Sequence, residues 1–423
     1  MQFKSIRLLN ACDVYQPKTI ATKYFVPDGK YTVYGANGEI GQYDEYNHEE
    51  PEVLMACRGA TCGTINVSKP FSWINGNAMV IHPNGTVPLR KDYLKYYLMS
   101  VSKDSIISGT AQPQITRQNL KDFQIVICDL DDQQKIVSQI EESLSQLDNA
   151  VETLNKTKQQ LEIYRQAVLK EAFEGKMTAS WRNKNSIAYS GLVSAARSER
   201  DKMIHKMKLR KLKYEWKDDI SLPNIPDVWE YAQIGDIAWS IKDGPHYSPE
   251  YTETGVPFIT GGNVRPSGVD FDSAKRISPE LYEELCKRCK PEKGDMLYTK
   301  GGTTGIARLN TYDIEFSVWV HVAVIKYVDI LYPEYFQHVL NSPLCYQQSQ
   351  KYTHGVGNQD LGLTRMINII FPLCSIEEQK QIVLELESRL SECENIEKTV
   401  NQSLQQAEAL RQSILKQAFE EDL

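Results

Sequence analysis

Two stretches of sequence decide the fold: LDDQQKIVSQIEESLSQLDN at 130–149 and IEEQKQIVLELESRLSECEN at 376–395. They begin two ungapped segments, 130–177 and 376–423, which share 19 identities in 48 positions at a constant offset of 246. The same offset pairs Gly109 with Gly355 and Cys128 with Cys374. The chain is therefore two copies of one module, a globular part followed by a long helix.

Both segments carry a seam of apolar residues whose spacing alternates between three and four, which is the heptad pattern of a coiled coil. The first seam runs Val137, Ile140, Leu144, Leu147, Val151, Leu154, Lys158, Leu161, and the second runs Val383, Leu386, Leu390, Cys393, Glu397, Val400, Leu404, Ala407. The breaks at Lys158 and Glu397 either fix the register or are exposed. Each helix is expected to span about 45 residues, or roughly 65–70 Å. The two seams are most simply buried against each other; a coil that dimerises with another chain is the alternative.

The residues outside these helices have an α+β pattern. In 1–129, the β-rich runs YTVYG, EVLMA, AMVIH and FQIVI are separated by Gly, Asn and Pro turns, and a helical run covers 93–101. In 223–375, VPFIT, DMLYTK, VAVIKYV and INIIF predict strands, and helices are expected near 279–290 and 333–348. Residues 178–222 are polar and basic without a stable apolar period, so they predict a linker with some helix.

Composition limits the class of protein. The sequence has no stretch of about 18 apolar residues and no apolar signal-peptide core, so we expect neither a membrane-spanning segment nor a membrane partner. Nine cysteines are spread thinly over 423 residues, which indicates reduced thiols and a cytoplasmic location.

The net charge of −7 is unevenly distributed. It is +1 over 1–129, −3 over 130–177, +6 over 178–222, −5 over 223–375 and −6 over 376–423. This balance neither supports nor excludes a nucleic-acid partner. A nucleic-acid-binding protein tolerates a negative net charge when its protein partner supplies most of the phosphate contacts.

The helix motifs carry a resemblance to a known family. Each helix opens with an acidic pair, a Gln and then Ile-Val, and closes with Arg-Gln followed by Leu-Lys-x-Ala-Phe-Glu. This resembles the two spacer regions of the specificity subunits of Type I restriction–modification systems. WRNKN (181–185) and LPNIPDVWEYAQIGDI (222–237) are similar to the connector and the start of the second target-recognition domain of that family. The second helix departs from the pattern by ending Glu-Glu-Asp-Leu, which affects its last turn.

The globular parts extend the resemblance over essentially the whole chain. YGANGEIGQYDEYNHEEPEVLMACRGATCG (34–63) and SGTAQPQIT (108–116) resemble one subtype of target-recognition domain, and IKDGPHYSPEY (241–251) with GVPFITGGN (255–263) resembles another. The implied fold class is α+β, with two globular α+β target-recognition domains separated and followed by long α-helices that pair as an antiparallel coiled coil. The implied parts are target-recognition domain 1 (1–129), a central spacer helix (130–177), a basic connector (178–222), target-recognition domain 2 (223–375) and a C-terminal spacer helix (376–423).

The resemblance also implies the partners. Each domain is expected to read one half of a bipartite sequence in double-stranded DNA, with the helices acting as a ruler. Two methyltransferase subunits are expected to dock on the helices, and restriction/translocase subunits to join them. The complex methylates adenine at N6, or translocates and cleaves unmodified DNA. S-adenosylmethionine, ATP and Mg are expected on the partner subunits, with no cofactor bound by this chain.

A search for catalytic motifs agrees with a non-catalytic reader. The sequence has no Gly-x-x-x-x-Gly-Lys-Ser/Thr loop for ATP, no Asn/Asp-Pro-Pro-aromatic loop for adenine methylation and no His-Glu-x-x-His motif. Cys286 and Cys289 form a lone CxxC without a second ligand pair, so no zinc site is predicted.

Candidate DNA contacts are the donor-bearing residues near two glycine-rich loops, RGATCG (58–63) and KGGTTG (300–305), which match at offset 242. Glycines let backbone N–H groups approach phosphates, while Gln suits adenine and Arg suits guanine. In the first domain the candidates are Arg58, Thr61, Gln112, Gln114, Thr116 and Arg117. In the second they are His246, Tyr247, Lys300, Thr303, Thr304, Arg308, Asn358, Gln359 and Arg365.

Three alternative functions make different demands on the sequence. The chain could be the recognition subunit of a related fused restriction enzyme, with the same readers and different partners. It could be a coiled-coil scaffold with two protein-binding domains, although a scaffold does not need matched glycine loops in both domains. A stand-alone nuclease or methyltransferase requires an active-site motif that the sequence lacks.

Overall fold

The computed structural model describes residues 2–36, 38–109, 112–185, 191–216, 220–355, 357 and 359–420. The chain divides into two compact units, residues 1–157 with 399–423 (unit 1) and residues 158–398 (unit 2). Each long helix therefore contributes one part to each unit.

Unit 1 is built from nine short strands, two short α-helices and one part of each long helix among the described residues. The strands are β1 (Lys4–Arg7), β2 (Cys12–Tyr15), β3 (Tyr31–Gly35), β4 (Gly38–Tyr43), β5 (Val53–Ala56), β6 (Ile65–Val67), β7 (Trp73–Ile74), β8 (Ala78–Pro83) and β9 (Gln124–Ile127). The helices are α1 (Leu8–Ala11), α2 (Lys91–Ser100), the first part of α3 (Leu130–Phe173) and the last part of α11 (Ile376–Glu420).

Unit 2 contains the end of α3 and the remaining elements. Its helices are α4 (Ala179–Asn185), α5 (Leu192–Lys206), α6 (Ile234–Ile237), α7 (Pro279–Cys286), α8 (Pro333–Leu340), α9 (Pro343–Tyr352), α10 (Leu363–Met366) and the first part of α11 (Ile376–Glu420). Its strands are β10 (Glu230–Gln233), β11 (Ala238–Asp243), β12 (Val256–Ile259), β13 (Val264–Arg265), β14 (Gly268–Val269), β15 (Lys275–Ile277), β16 (Met296–Thr299), β17 (Ala307–Leu309), β18 (Ser317–Val318), β19 (Val322–Tyr327) and β20 (Ile370–Leu373).

The sheet topology of unit 1 is repeated in unit 2. The first and last strands of each globular part pair with each other, β1 with β9 and β10 with β20. Each unit has a four-stranded antiparallel sheet, ordered β2-β8-β5-β6 and β11-β19-β16-β17. Each also has a three-stranded sheet with one parallel pair, ordered β4-β3-β7 and β15-β12-β18. The internal repeat seen in the helix sequences therefore extends to the globular parts, where sequence similarity is weak.

A buried glutamine in the first turn of each long helix ties that helix to its globular part. Gln133 Nε2 donates to the carbonyls of Cys128 (2.8 Å) and Pro88 (2.9 Å), and its Oε1 accepts from the Arg90 N–H (2.9 Å). Gln379 repeats all three bonds, to the carbonyls of Cys374 and Ile330 and from the Tyr332 N–H. Both amides are fully buried, so each side chain satisfies backbone groups that water does not reach.

A tyrosine–phenylalanine contact is the second repeated link. In unit 1, the Tyr93 hydroxyl donates to the Val126 carbonyl, and its ring meets Phe419 edge-on at a centroid distance of 5.4 Å. In unit 2, the Tyr335 hydroxyl donates to the Pro372 carbonyl, and its ring meets Phe173 edge-on at 5.5 Å. Each globular part thus packs on the start of one long helix and the end of the other.

The predicted seams of the long helices are confirmed, and the helices run antiparallel within each unit. All sixteen seam positions are buried or partly buried. In unit 2, Arg165 contacts Glu397 at 2.8 Å and Arg389 contacts Glu171 at 3.4 Å. In unit 1, Arg411 pairs with Asp148. The break at Glu397 is therefore a cross-helix ion pair, and the α+β fold class with an antiparallel coiled coil is confirmed.

The structure corrects the two helices expected near 333–348 and 279–290. The first run is two helices, α8 and α9, because Pro343 has no N–H to continue α8 and Ser342 starts a new helix by accepting a hydrogen bond from the Cys345 N–H. The second run ends early, at Cys286. The first long helix also ends before 177, because Gly175 adopts a left-handed conformation with φ of +71°.

The basic connector is more than a linker. Helix α5 buries Leu192, Val193, Ala196 and Ile204, three of which belong to the main core of unit 2. The carboxylate of Glu230, on strand β10, accepts hydrogen bonds from the first backbone N–H groups of α5, at 3.0 Å from Leu192 and 3.1 Å from Val193. These contacts are distant in sequence, so the connector's own pattern does not predict them.

We expect Gln133→Leu to destabilise unit 1 by about 3 kcal/mol, because it leaves two buried carbonyls and one buried N–H without partners. Urea unfolding followed by circular dichroism measures this effect. The matched control is Gln134→Leu, which removes an exposed amide bonded only to Ser138 among the described residues. Equal stability of the two variants would contradict the prediction.

Candidate nucleic-acid interface

In unit 1, the predicted glycine loop and the predicted donor-rich stretch lie side by side. The Gly59 N–H donates to the Pro113 carbonyl at 3.0 Å, and the Ile115 N–H donates to the Cys57 carbonyl at 3.0 Å. Arg58 and Gln114 are bridge partners between the two segments. Backbone hydrogen bonds therefore place an arginine beside a glutamine on an exposed edge.

The other candidates of unit 1 flank this edge. Gln112 and Arg117 are exposed, and Thr61 is partly buried. The Thr116 hydroxyl donates to Asn119 Oδ1 at 2.6 Å, so its proton is engaged and its oxygen remains an acceptor. Gly59 and Gly63 both have positive φ, at +86° and +88°, which L side chains rarely adopt.

The equivalent loop of unit 2 has the same backbone connections. The Gly302 N–H donates to the Gln359 carbonyl at 2.9 Å, and the Leu361 N–H donates to the Lys300 carbonyl at 2.7 Å. Gly301 is the bridge partner of Asp360. Gln359 and Thr303 are exposed, whereas Asn358 lies outside the described residues.

These hydrogen bonds correct the register read from the sequence. Cys57 and Lys300 occupy equivalent positions, because each accepts from the returning segment and each N–H donates to the neighbouring strand end, to Asn77 and His321 respectively. The offset at this point is therefore 243, and the residue that corresponds to Arg58 is Gly301. The sequence match at offset 242 had paired Arg58 with Lys300.

A network of charged side chains underlies the unit 2 loop. Buried Asp243 contacts Arg288 Nη2 at 2.7 Å, Lys300 Nζ at 3.3 Å and His246 Nε2 at 3.4 Å. Lys300 Nζ also lies 3.5 Å from Asp360, which in turn contacts Arg365 Nη2 at 3.4 Å. Four separate segments of the chain meet in this network.

Three predicted residues therefore lie together, in unequal surroundings. His246 is exposed, Arg365 is partly buried, and Lys300 is only 3% exposed. Lys300 is a structural ion-pair partner that fixes the loop, and this removes it from the donors available at the surface. The Arg365 Nε–H is buried and has no hydrogen-bond partner among the described residues, while Nη2 is bonded to Asp360.

The remaining unit 2 candidates are spread more widely. The Thr304 side chain is buried against Thr353 and Gln350, and Arg308 Nη1 donates to the Pro266 carbonyl at 3.1 Å. Tyr247 is 54% exposed, and its carbonyl accepts from the Trp319 indole at 3.1 Å. Burial lowers the pKa of the nearby His321, and Lys300 lowers it further, so this imidazole is neutral at pH 7.

Sequence reasoning missed Arg288. Its guanidinium is held at two atoms of Asp243, through Nη2 to Oδ1 and through Nε to the carbonyl at 3.2 Å, while its side chain stays 57% exposed. A fixed, exposed guanidinium is the group best suited to bidentate recognition of guanine. The signal in the sequence was Asp243, the first residue of DGPH. Its partner Arg288 lies 45 residues farther along the chain.

No helix in the described part of the chain is long and apolar enough to cross a membrane. Within that same part, no cluster of His, Cys, Asp or Glu is arranged to hold a metal ion. What the geometry defines is a duplicated α+β domain in which each copy presents a glycine loop locked to a polar, exposed segment.

Comparison with known proteins identifies the family. The Type I restriction modification DNA specificity domain matches residues 2–163 and 226–406. The chain therefore belongs to this family, as the resemblance in the helix motifs predicted.

Curated relatives agree with this assignment, and a solved structure shares the fold. The chain is 27% identical to the Type I restriction enzyme EcoBI specificity subunit of Escherichia coli, over 77% of this chain and 64% of that one. It is 23% identical to the EcoDI specificity subunit of Escherichia coli, over 94% and 83% of the two chains. A chain from a structure on complex assembly and conformational transition of the type I R-M system matches its fold, with a TM-score of 0.66 at 15% identity and coverage of 100% and 98%. The match thus spans slightly less than two thirds of the length of the EcoBI subunit.

We expect Lys300→Met to destabilise unit 2 by about 3 kcal/mol, because it leaves buried Asp243 with one fewer cation. Lys293→Met is the matched control: Lys293 pairs with Asp313 on the surface, where both side chains are mostly exposed, and its loss is expected to cost less than about 1 kcal/mol. Urea unfolding followed by tryptophan fluorescence compares the two. A stability loss of the same size in both variants would show that the Lys300 network does not hold the loop.

Proposed function

We propose that this chain is the sequence-specific DNA-recognition subunit of a Type I restriction–modification complex. One observation carries the proposal: each unit presents a glycine loop hydrogen-bonded to a donor-rich segment, and the two copies differ in side chains while sharing a backbone. Two readers with one fold and different surfaces suit a DNA target made of two unlike halves.

The proposed readers use different side chains for base contacts. In unit 1 the pair is Arg58 and Gln114, which suit guanine and adenine respectively. In unit 2 it is Arg288 and His246, both fixed by Asp243, with Arg365 and Gln359 beside them. Backbone N–H groups and the remaining donors of the loops would contact phosphates.

The chain itself is proposed to be non-catalytic and to bind no cofactor. Two methyltransferase subunits supply S-adenosylmethionine and the adenine-N6 chemistry, and restriction/translocase subunits supply the ATP- and Mg-dependent steps, in the cytoplasm. Support for two docking sites comes from the repeat. Tyr164 in α3 and Leu410 in α11 occupy the same repeat position, and they are 45% and 49% exposed. Matched positions on the two helices would offer the same kind of surface to two equivalent partner subunits.

Single-molecule methylation sequencing tests this function. DNA from cells that express the chain with its neighbouring methyltransferase is compared with DNA from cells that lack the chain. We expect N6-methyladenine at one bipartite motif with a fixed gap of unspecified bases, present only when the chain is present. Methylation that does not depend on the chain would overturn the proposal, and a pull-down of associated subunits would then test the scaffold alternative.

The same readout separates the two readers. We expect Arg288→Ala to relax one half of the motif and Arg58→Ala to relax the other, because each arginine serves only its own unit. A lost bidentate contact to a base corresponds to about 1–3 kcal/mol of discrimination, so methylation of sites with a wrong base in that half should rise about 5- to 150-fold relative to the true site. Each variant controls for the other. Relaxation of both halves by one substitution would contradict the assignment.

A further inference from the structure

Residues 207–216, here called the basic strap, follow α5 and have no helical or strand structure apart from a turn at the start. Contacts of Leu212, Tyr214 and Glu215 hold the strap against the rest of unit 2. Leu212 and Tyr214 pack against the main core of this unit, and the Tyr214 hydroxyl donates to Asp236 Oδ1 at 2.7 Å. At the end of the strap, the Glu215 N–H donates to Asn368 Oδ1 at 2.9 Å, and its carbonyl accepts from Gln233 at 2.9 Å.

The cationic side chains of the strap point away from these anchors. Lys208, Arg210, Lys211 and Lys213 are all exposed. Lys211 contacts Asp201 at 2.7 Å, whereas Lys208, Arg210 and Lys213 have no carboxylate within 4.0 Å among the described residues. Three cations are therefore displayed on a fixed backbone without an ion-pair partner in the described part of the chain.

These cations offset the negative net charge of the second domain. Residues 223–375 have a net charge of −5, and this is unfavourable for a domain that approaches DNA. Residues 178–222 have a net charge of +6, which brings 178–375 to +1. The first domain, residues 1–129, already has +1 on its own. The connector thus gives the second domain the same net charge as the first.

The strap also lies next to the candidate interface of unit 2. Leu212 shares a groove with Leu363, the first residue of α10, and Ile367, which follows its last residue, and α10 carries Arg365. Ile241, two residues before Asp243, lines the same groove. The strap therefore lies beside the two chain segments that carry Arg365 and Asp243.

We propose that the basic strap is a DNA phosphate-binding element of unit 2, in which Lys208, Arg210 and Lys213 contact the sugar–phosphate backbone without reading sequence. The inference rests on the proposed function and adds a second kind of contact to it. Anchoring at Leu212, Tyr214 and Glu215 holds the cations in place before DNA arrives, so less side-chain and loop entropy is lost on binding.

The test uses the full-length chain with its methyltransferase, and two duplexes, one carrying the motif found by methylation sequencing and one with that motif scrambled. The variant is Lys208→Ala/Arg210→Ala/Lys213→Ala. The matched control, Lys208→Arg/Arg210→Lys/Lys213→Arg, keeps the charge. Affinity is measured against salt concentration.

We expect the alanine variant to bind both duplexes more weakly by the same factor, and its slope of log affinity against log salt to be shallower by about one for each contact removed. The charge-preserving control should keep the wild-type slope. The methylated motif should be unchanged, because phosphate contacts do not specify bases.

Other outcomes overturn the inference in distinguishable ways. The alanine variant could keep the wild-type salt slope while the wild-type complex still prefers the motif duplex. This result would show that the strap does not contact DNA, and the proposed function would stand. Loss of methyltransferase co-purification at an unchanged slope would show that the strap binds protein instead. Failure of the wild-type complex to prefer the motif duplex would overturn the proposed function itself.

Discussion

The structure depends on the burial of two apolar seams, each carried by a helix of more than forty residues. A single helix of that length exposes its seam to water, so the two helices have to pair. Pairing them antiparallel gives each unit the start of one helix and the end of the other. Phe173 and Phe419, near the two helix ends, fill the same place in the two cores against Tyr335 and Tyr93.

This arrangement has a cost in chain entropy. The core of unit 1 includes Leu415 and Phe419, which follow the whole of unit 2 in the chain. Closing so long a loop is slow compared with forming local contacts, and the N-terminal domain is completed only when the last residues are made. The hydrogen bonds of Gln133 and Gln379 act differently, because they join each helix start to the domain just before it. We therefore expect the local links to form before the antiparallel seam, which completes both units.

The sequence predicted the parts of the fold that follow from periodicity. The seams and the long helices follow from spacing, and the apolar runs predicted eight of the strands, among them β3, β8 and β19. The connector could not be predicted in this way, because the stability of α5 comes from Glu230 and from a core contributed by distant strands. The glycine loops were found, yet the start of the second loop was misaligned by one residue. The backbone hydrogen bonds align Cys57 with Lys300 at offset 243, and they return to offset 242 at Gly63 and Gly305. As a result Lys300 was placed at the surface, whereas it occupies the buried position of Cys57.

The same comparison explains how one backbone can serve two readers. The bonds that lock each glycine loop to its returning segment join main-chain atoms, from Gly59 to Pro113 and from Gly302 to Gln359. Side chains at the surface are therefore free to change without loss of the loop. Unit 2 uses that freedom to place two carboxylates, Asp243 and Asp360, in a site proposed to meet an anion. Each carboxylate lies between cations, and Asp243 is buried beneath them, so it acts as an anchor that fixes Arg288 and His246 at the surface. A domain with net negative charge can approach phosphates on these terms, because Asp243 is covered and the half-exposed Asp360 is paired with Lys300 and Arg365.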